Sequence, residues 1–314
     1  MSMPAPITVT HFTDPGCPWA YSANPFLTKL KWRFGDQLDW TLVMIGLADD
    51  AQRYVDRGYT PAGSAQGYLR FRRLGMPLAT QPKPRVSATG PACRLIVATR
   101  LAAPEHEEAV FRALQAGTFT TSLPLDSPEL LAAALERVPE VDAAALLGSL
   151  DDPAVLEAYA QDKERTRTAE GTPTHAQGRS ANTDGRERYT APSLVFTRTR
   201  DGVSLEAGGF QPVEAYDVVL ANLAPELDRR DAPADPVEVV AAFPYPLATR
   251  EISVVMAPHL MDADDAATER ALIVAAAEGR VWRENAGNDA FWHLGAASAW
   301  EGGRARRPAV LAGA

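Results

Sequence analysis

The sequence predicts an α/β fold that carries a large helical insertion and is followed by a small second module. Three features support this prediction. A strand, a helix and a second strand occupy the chain up to about residue 50. A helix-rich stretch then covers about residues 51–170, and two further strands with a closing helix come after it.

The N-terminal unit begins at residues 7–13 (ITVTHFT), where β-branched residues alternate as in a strand that enters a core. Asp-Pro-Gly at residues 14–16 interrupts this strand. Residues 18–35 have helical spacing, and Pro25 predicts a kink or a break within that helix. Residues 39–47 predict a second strand, so the unit implies parallel strands with a right-handed crossover.

The middle of the chain is dominated by helical patterns with apolar residues three and four apart, too long a stretch for a loop. Polar, glycine-rich residues 171–190 predict a loop. Residues 191–199 and 202–210 predict two strands joined by a tight turn, and residues 211–223 predict the closing helix.

The C-terminal part begins with residues 228–236, which have the composition of a linker. Three short helical patterns and a hairpin at residues 280–294 follow, an order that resembles a winged-helix module over residues 233–300. That module has four arginines against ten acidic residues, which disfavours DNA binding and favours packing as a lid or a dimer surface. Residues 301–314 predict a disordered tail.

The composition excludes several classes of function. The net charge of −9 argues against non-specific binding of nucleic acid. No apolar run approaches the roughly 20 residues that cross a bilayer, and the N-terminus lacks the features of a secretory signal. The five histidines are scattered and only two cysteines occur, which predicts no metal site and a reducing compartment. These observations predict a soluble cytoplasmic protein without nucleic-acid or membrane partners.

Cys17 is the main candidate for chemistry. It follows a strand and a Pro-Gly turn and precedes a helical run, so unpaired N–H groups and the helix dipole are expected to lower the pKa of its thiol. Pro18 fits the first helical turn, and Trp19 offers a flat apolar surface beside the sulfur. The alternative is a buried structural cysteine, the usual fate of a lone Cys.

Residues 12–25 (FTDPGCPWAYSANP) resemble the active-site stretch of the DsbA-like branch of the thioredoxin superfamily, near the FrnE-like proteins. The 2-hydroxychromene-2-carboxylate isomerases and kappa-class glutathione transferases share that scaffold. YTAPSLVF resembles the family's cis-proline element, with Pro192 preceded by Ala191. ACRL resembles a helix start of that branch, with Cys93 in place of a histidine.

The similarity covers about residues 7–225 and implies a thioredoxin-like domain at residues 1–227. It also implies thiol-disulfide oxidoreductase or isomerase activity with Cys17 as the nucleophile. A cis-proline turns the preceding backbone outward, where it pairs with substrate. The substrate-binding residues implied by the resemblance are Pro18, Trp19, Ala191, Pro192 and Ser193. A trans proline at the start of a strand is the alternative.

Ala20 departs from the C-P-W-C pattern of the FrnE-like proteins because it replaces the resolving thiol. A mixed disulfide on Cys17 must then be released by another thiol. Three sources are open: a low-molecular-weight co-substrate (glutathione or mycothiol), a second cysteine of the substrate, or Cys93. An ordinary cysteine on an apolar helix face is the preferred interpretation of Cys93. No tightly bound cofactor is expected.

Two other classes of function remain open from the sequence. In a thiol-cofactor-dependent isomerase or transferase, Cys17, Ser22 and Ser193 would line a cofactor pocket, and the helical insertion would hold an apolar electrophile. In a non-catalytic peptide-binding module, only the groove beside Pro192 would remain in use. Asp14 is a candidate for proton transfer, although Asp before Pro-Gly is more often a turn former. A thiol or disulfide substrate is the expected partner, and a homodimer is left open.

Overall fold

The N-terminal unit folds as a β-α-β element. The structure is a computed structural model that describes residues 5–183 and 185–296. Strands β1 (Ile7–Thr13) and β2 (Leu38–Met44) are parallel and are joined by helix α1 (Pro18–Phe34). The parallel pair predicted from the sequence is confirmed. Of the kink or break predicted at Pro25, the break is wrong, because α1 continues through this residue, which is itself buried.

The helix-rich stretch that the sequence analysis interprets as an insertion follows β2. The predicted loop at residues 171–190 comes after it and contains a short helix and a two-stranded ribbon. Its core joins apolar residues of neighbouring helices, such as Leu95, Leu114 and Leu130. The helices and strands of this stretch are α2 (Gln52–Asp56), α3 (Pro61–Tyr68), α4 (Gly90–Ala102), α5 (Glu107–Thr120), α6 (Pro128–Leu135), α7 (Ala143–Gly148), α8 (Pro153–Thr166), α9 (Pro173–Ala176), β3 (Ser180–Ala181) and β4 (Arg188–Tyr189).

Two antiparallel strands complete the central sheet. These are β5 (Ser193–Arg198) and β6 (Ser204–Ala207), followed by α10 (Val213–Leu223). The sheet order is β2-β1-β5-β6, so β1 lies in the middle and pairs with a parallel strand on one side and an antiparallel strand on the other. The antiparallel pairing of β1 with β5 places the C-terminal end of β1 beside the start of β5.

The C-terminal part contains three helices and a small antiparallel sheet of order β7-β9-β8. Its apolar side chains, such as Leu247, Ile252 and Trp292, belong to the same core cluster as Leu95 of the insertion. Its elements are α11 (Pro236–Ala241), β7 (Leu247–Ala248), α12 (Thr249–Met256), α13 (Asp265–Ala277), β8 (Val281–Ala286) and β9 (Asp289–Leu294). The predicted tail at residues 301–314 lies outside the described residues.

A buried ion pair joins the C-terminal part to the rest of the molecule. The Glu251 carboxylate is 0% exposed and lies 2.6 Å from a guanidinium nitrogen of Arg112 on α5. The same carboxylate accepts hydrogen bonds from the Thr28 hydroxyl (2.9 Å) and the Ala248 N–H (2.9 Å). The predicted linker is also held in place, since the Trp32 indole donates to the Asp231 carbonyl at 2.8 Å. The C-terminal part is therefore packed against the sheet domain.

The described ranges contain neither a membrane-spanning helix nor a cluster of metal-binding side chains. Every helix there is too short or too polar to traverse a lipid bilayer. Across residues 5–183 and 185–296, no three His, Cys, Asp or Glu side chains come together as a metal site.

Candidate active site

The site is built where β1 ends and α1 begins. Cys17 is the N-cap residue of α1, with Pro18 in the first turn, and its N–H donates to the Asp14 carbonyl at 3.1 Å. The Gly16 N–H donates to the Asp14 carboxylate at 2.8 Å, which closes a tight turn before the cysteine. The sequence Asp-Pro-Gly-Cys-Pro thus fixes the sulfur at the amino end of a helix.

The thiol of Cys17 faces the segment that precedes β5. Its Sγ donates a hydrogen bond to the Ala191 carbonyl oxygen at 3.3 Å, and the Ala191–Pro192 peptide bond is cis. The Ser193 hydroxyl donates to the Thr190 carbonyl at 2.7 Å and accepts from the Gly209 N–H at 3.0 Å. Ser193 therefore holds this segment in place, while the Ala191 carbonyl makes the direct contact with the sulfur.

The Cys17 thiol is buried and is therefore a weak acid. Cys17 is 7% exposed and packs with Phe12 and Tyr189. Burial raises the pKa of this thiol from 9.0 to about 11, although the N–H groups of Ala20 and Trp19 act in the opposite direction. The lowered pKa expected from the sequence is wrong, because desolvation outweighs the helix terminus.

Ala20 occupies the position of a resolving thiol and belongs to the same buried cluster as Cys17. It is only 1% exposed, so its methyl group fills this place in the core. Ser22, further along α1, is also buried, and its hydroxyl has no hydrogen-bond partner among residues 5–183 and 185–296.

Asp14 is the centre of a buried hydrogen-bond network. One carboxylate oxygen accepts from the Leu47 N–H at 2.9 Å, from the Thr89 hydroxyl at 3.0 Å and from the Cys93 thiol at 3.6 Å. Burial raises the pKa of Asp14, against the effect of the N–H groups of Leu47 and Gly16. Asp14 is thus a turn former and also a link between β1 and the start of α4.

Cys93 lies deep in the helical core and is 0% exposed. Burial, together with the negative charge of Asp14, raises the pKa of the Cys93 thiol. A thiol that is sealed from solvent and hydrogen-bonded to a carboxylate is a poor resolving nucleophile. This geometry favours the structural interpretation of Cys93.

A cleft opens beside the cysteine, and the sequence analysis did not identify its charged and aromatic lining. Its volume is about 620 Å³, and Gly16, Pro18 and Trp19 form part of its wall. Trp19 is 37% exposed and packs edge-to-face on Phe71 with ring centroids 4.8 Å apart. The insertion supplies most of the remaining wall, including Tyr54, Arg57, Tyr59, Tyr68, Arg70, Lys83 and Arg85. These residues are far apart in the sequence, so no local motif announces the cleft.

No family model matches this chain, and no curated protein matches it. Among solved structures, the chain is similar to a candidate protein disulfide isomerase from Nitrosomonas europaea, with 17% identity and a TM-score of 0.52 over 69% of this chain and 96% of that one. It is also similar to a candidate DsbA oxidoreductase from Streptomyces coelicolor, with 18% identity and a TM-score of 0.51 over 73% of this chain and 95% of that one.

The cytosolic disulfide reductase DsbM from Pseudomonas aeruginosa aligns with a TM-score of 0.48 at 17% identity, over 69% of this chain and 100% of that one. At these identities the likeness shows a shared fold. The chain therefore has a mixed α/β fold similar to that of the Nitrosomonas europaea and Streptomyces coelicolor structures.

Proposed function

We propose that this protein is a thiol-disulfide oxidoreductase or isomerase of the FrnE-like branch that uses Cys17 as its single active sulfur. One observation carries the proposal. The Cys17 Sγ lies at the amino end of α1 and 3.3 Å from the Ala191 carbonyl, beside Pro192, while Ala20 supplies no second thiol. The fold shared with disulfide isomerase-like and DsbA-like proteins supports the proposal.

The reaction consists of two exchange steps. The Cys17 thiol loses its proton and the thiolate attacks one sulfur of a substrate disulfide. The substrate S–S bond breaks, a mixed disulfide forms on Cys17, and the leaving thiolate takes up a proton. A second thiol then loses its proton and attacks the substrate sulfur of the mixed disulfide; it forms a new disulfide with that sulfur, the bond to Cys17 breaks, and the Cys17 thiolate takes up a proton. Because Ala20 cannot act as the second nucleophile, this thiol must come from a co-substrate in reduction, or from a second cysteine of the substrate in isomerisation.

Substrate docking supplies a way to activate the buried thiol. In the resting protein the Ala191 carbonyl accepts the S–H hydrogen bond, and this contact stabilises the protonated form of Cys17. A substrate N–H that donates to the same carbonyl replaces the S–H donor. The N–H groups of Trp19 and Ala20, which lower the pKa of Cys17, are then left to stabilise the thiolate. Pro18, Trp19, Ala191, Pro192 and Ser193 are the proposed substrate-binding residues.

The proposed co-substrate is a low-molecular-weight thiol, glutathione or mycothiol, and the proposed compartment is the cytoplasm. We also propose that the predicted module at residues 233–300, of which 297–300 lie outside the described residues, is of the winged-helix type and packs on the sheet domain instead of binding DNA. The sheet order β7-β9-β8 and the buried contact of Glu251 with Arg112 support this role. A homodimer remains a proposal that a sedimentation measurement can test.

The test is turnover of a fluorescent peptide–glutathione mixed disulfide with reduced glutathione in excess. Wild-type protein is expected to turn over many times, whereas Cys17→Ser is expected to be inactive. Cys93→Ser keeps a hydroxyl donor for the Asp14 carboxylate and is expected to retain turnover. Turnover in Cys17→Ser, or its loss in Cys93→Ser while the fold is intact, contradicts the proposal.

The aromatic cleft favours a second candidate, a thiol-cofactor-dependent isomerase or transferase. In such an enzyme Cys17, Ser22 and Ser193 would assist a bound cofactor thiol without exchanging disulfides. A measurable exchange rate with a small disulfide that disappears in Cys17→Ser separates the two candidates in favour of the first. If the wild-type protein shows no disulfide exchange but converts an apolar electrophile in a thiol-dependent reaction, the second candidate is favoured.

A further inference from the structure

The cleft beside Cys17 has an unusual charge for this acidic protein. The chain carries a net charge of −9, yet none of the described residues that line the cleft is an Asp or a Glu. Four basic side chains line it: Arg57, Arg70, Lys83 and Arg85. Arg85 is neutralised by Asp126 at 2.6 Å, so the excess positive charge comes from the other three.

Lys83 is the most informative of these cations. Its Nζ donates to the backbone carbonyls of Thr121 and Leu123, and no carboxylate of the described ranges forms an ion pair with it. Burial lowers the pKa of Lys83 to about 8. A partly desolvated ammonium group without a counter-ion gains more from an incoming anion than a fully hydrated one does.

Aromatic side chains form a second part of the wall. Trp19, Tyr54, Tyr59, Tyr68 and Phe71 line the cleft. Burial raises the pKa of Tyr68 to about 12, and the negative charge of the Cys17 thiolate contributes to that rise. The same charge contributes to the raised pKa of Tyr54. Gly16 and Pro18, the residues on either side of Cys17, line the cleft, so a molecule bound there lies against the segment that carries the sulfur. The cleft has the size typical of small-molecule sites.

We propose that this cleft selects a small thiol or disulfide that bears carboxylates, with Lys83 and Arg70 binding the carboxylates while the ligand sulfur faces Cys17. The inference rests on the proposed function and deepens it. Between the two co-substrates considered above, the charge of the cleft favours glutathione, which carries carboxylates, over mycothiol, which is uncharged. Apolar ligand surface would pack on Trp19 and Tyr68.

The test is the rate at which Cys17 forms a mixed disulfide with three small disulfides that differ in charge. These are dithiodipropionate (anionic), hydroxyethyl disulfide (neutral) and cystamine (cationic). Each rate is divided by the rate of the same disulfide with free mercaptoethanol, which removes differences between leaving groups. We expect the normalised rate to be highest for the anionic disulfide, lower for the neutral one and lowest for the cationic one. The ratio of the highest to the lowest rate, called the span below, should be about tenfold, which corresponds to ~1.4 kcal/mol. The span should shrink at high ionic strength.

Lys83→Gln and Arg70→Gln should each reduce the span at least about twofold, as loss of one partly screened charge contact implies. Arg200→Gln is the matched control, because its side chain is 64% exposed and is paired with Glu226 outside the cleft. Arg70 is exposed, so its variant keeps the test valid if Lys83→Gln does not fold. The control should leave the span unchanged.

The outcomes separate this inference from the proposed function. Reaction of Cys17 with all three disulfides at equal normalised rates contradicts the charge selection and leaves the single-sulfur function intact. If Cys17 reacts with none of them, the proposed function is contradicted. In that case, titration calorimetry of glutathione with the Cys17→Ser variant still tests whether the cleft binds carboxylates. Binding that is lost in Cys17→Ser/Arg70→Gln supports the cleft, and an absence of binding refutes it.

Discussion

The acidity of Cys17 provides a sharp quantitative test. With its pKa raised to about 11, only about one Cys17 thiol in 10⁴ is ionised at pH 7. An unperturbed thiol, with a pKa of 9.0, is about 100-fold more ionised at that pH. Thiolate nucleophilicity rises about threefold per pKa unit, so the shift of about two units leaves Cys17 roughly tenfold slower than an ordinary thiol.

The assay is alkylation by iodoacetamide, followed by intact-mass analysis, in a Cys93→Ser background that leaves one thiol. Between about pH 6 and pH 9 the rate should rise about tenfold per pH unit without a plateau. The same protein unfolded in urea should react faster and approach a plateau at a lower pH. The claim that burial raises the pKa of Cys17 more than the helix terminus lowers it is refuted by either of two results. One is an alkylation rate that reaches a plateau below about pH 8 in the folded protein, and the other is faster alkylation of the folded protein than of the protein in urea.

Three further substitutions test the packing around the site. Ala20→Cys places a second sulfur one helical turn from Cys17, with Cα atoms about 5 Å apart. Oxidation by an added disulfide should give an internal disulfide, detected by the loss of two hydrogen atoms in the intact mass, and crowding should cost about 1–3 kcal/mol of unfolding free energy. Asp14→Asn should lower the pKa of Cys17, because the negative charge of Asp14 contributes to raising it. The same substitution should lower the free energy of unfolding in urea by about 1–3 kcal/mol, because buried donors lose a carboxylate oxygen as their acceptor. Arg112→Met leaves the buried Glu251 charge uncompensated and should cost about 3–5 kcal/mol in the same assay; unchanged stability would contradict the assigned pair.

The raised pKa of Cys17 also makes the free energy of unfolding depend on pH in a defined direction. A thiol whose pKa is higher in the folded state than in the unfolded state stabilises the fold below the unfolded value of 9.0. That contribution is lost as the pH rises from about 9 to about 11, so Cys17→Ser should lose less stability than the wild type in this window. Urea unfolding at two pH values checks this difference.

The elements of the fold were predictable because their signals are local. The strand at residues 7–13 alternates, the helix after it has regular spacing, and the hairpin at residues 280–294 has a clear turn. Cys17 could be singled out for the same reason, as its neighbours in the sequence fix its place at a helix terminus. The contact between Cys17 and Ala191 bridges distant parts of the chain, and it was expected only from the resemblance to a known family.

The features that were missed depend on packing between distant segments. The pKa of Cys17 is set by burial against Phe12 and Tyr189, and no sequence pattern reports how completely a sulfur is covered. The cleft combines Trp19 of α1 with residues of the insertion such as Tyr54 and Lys83. Pro25 was expected to interrupt α1, but the packed neighbours of this residue outweigh the loss of one backbone hydrogen bond.

The most direct test of the single-sulfur account is intact-mass analysis after incubation with oxidised glutathione. The account predicts one glutathione adduct, located on Cys17 by peptide mapping, absent from Cys17→Ser and removed completely by added reduced glutathione. An unmodified wild-type protein, an adduct on Cys93, or an internal Cys17–Cys93 disulfide would each contradict it.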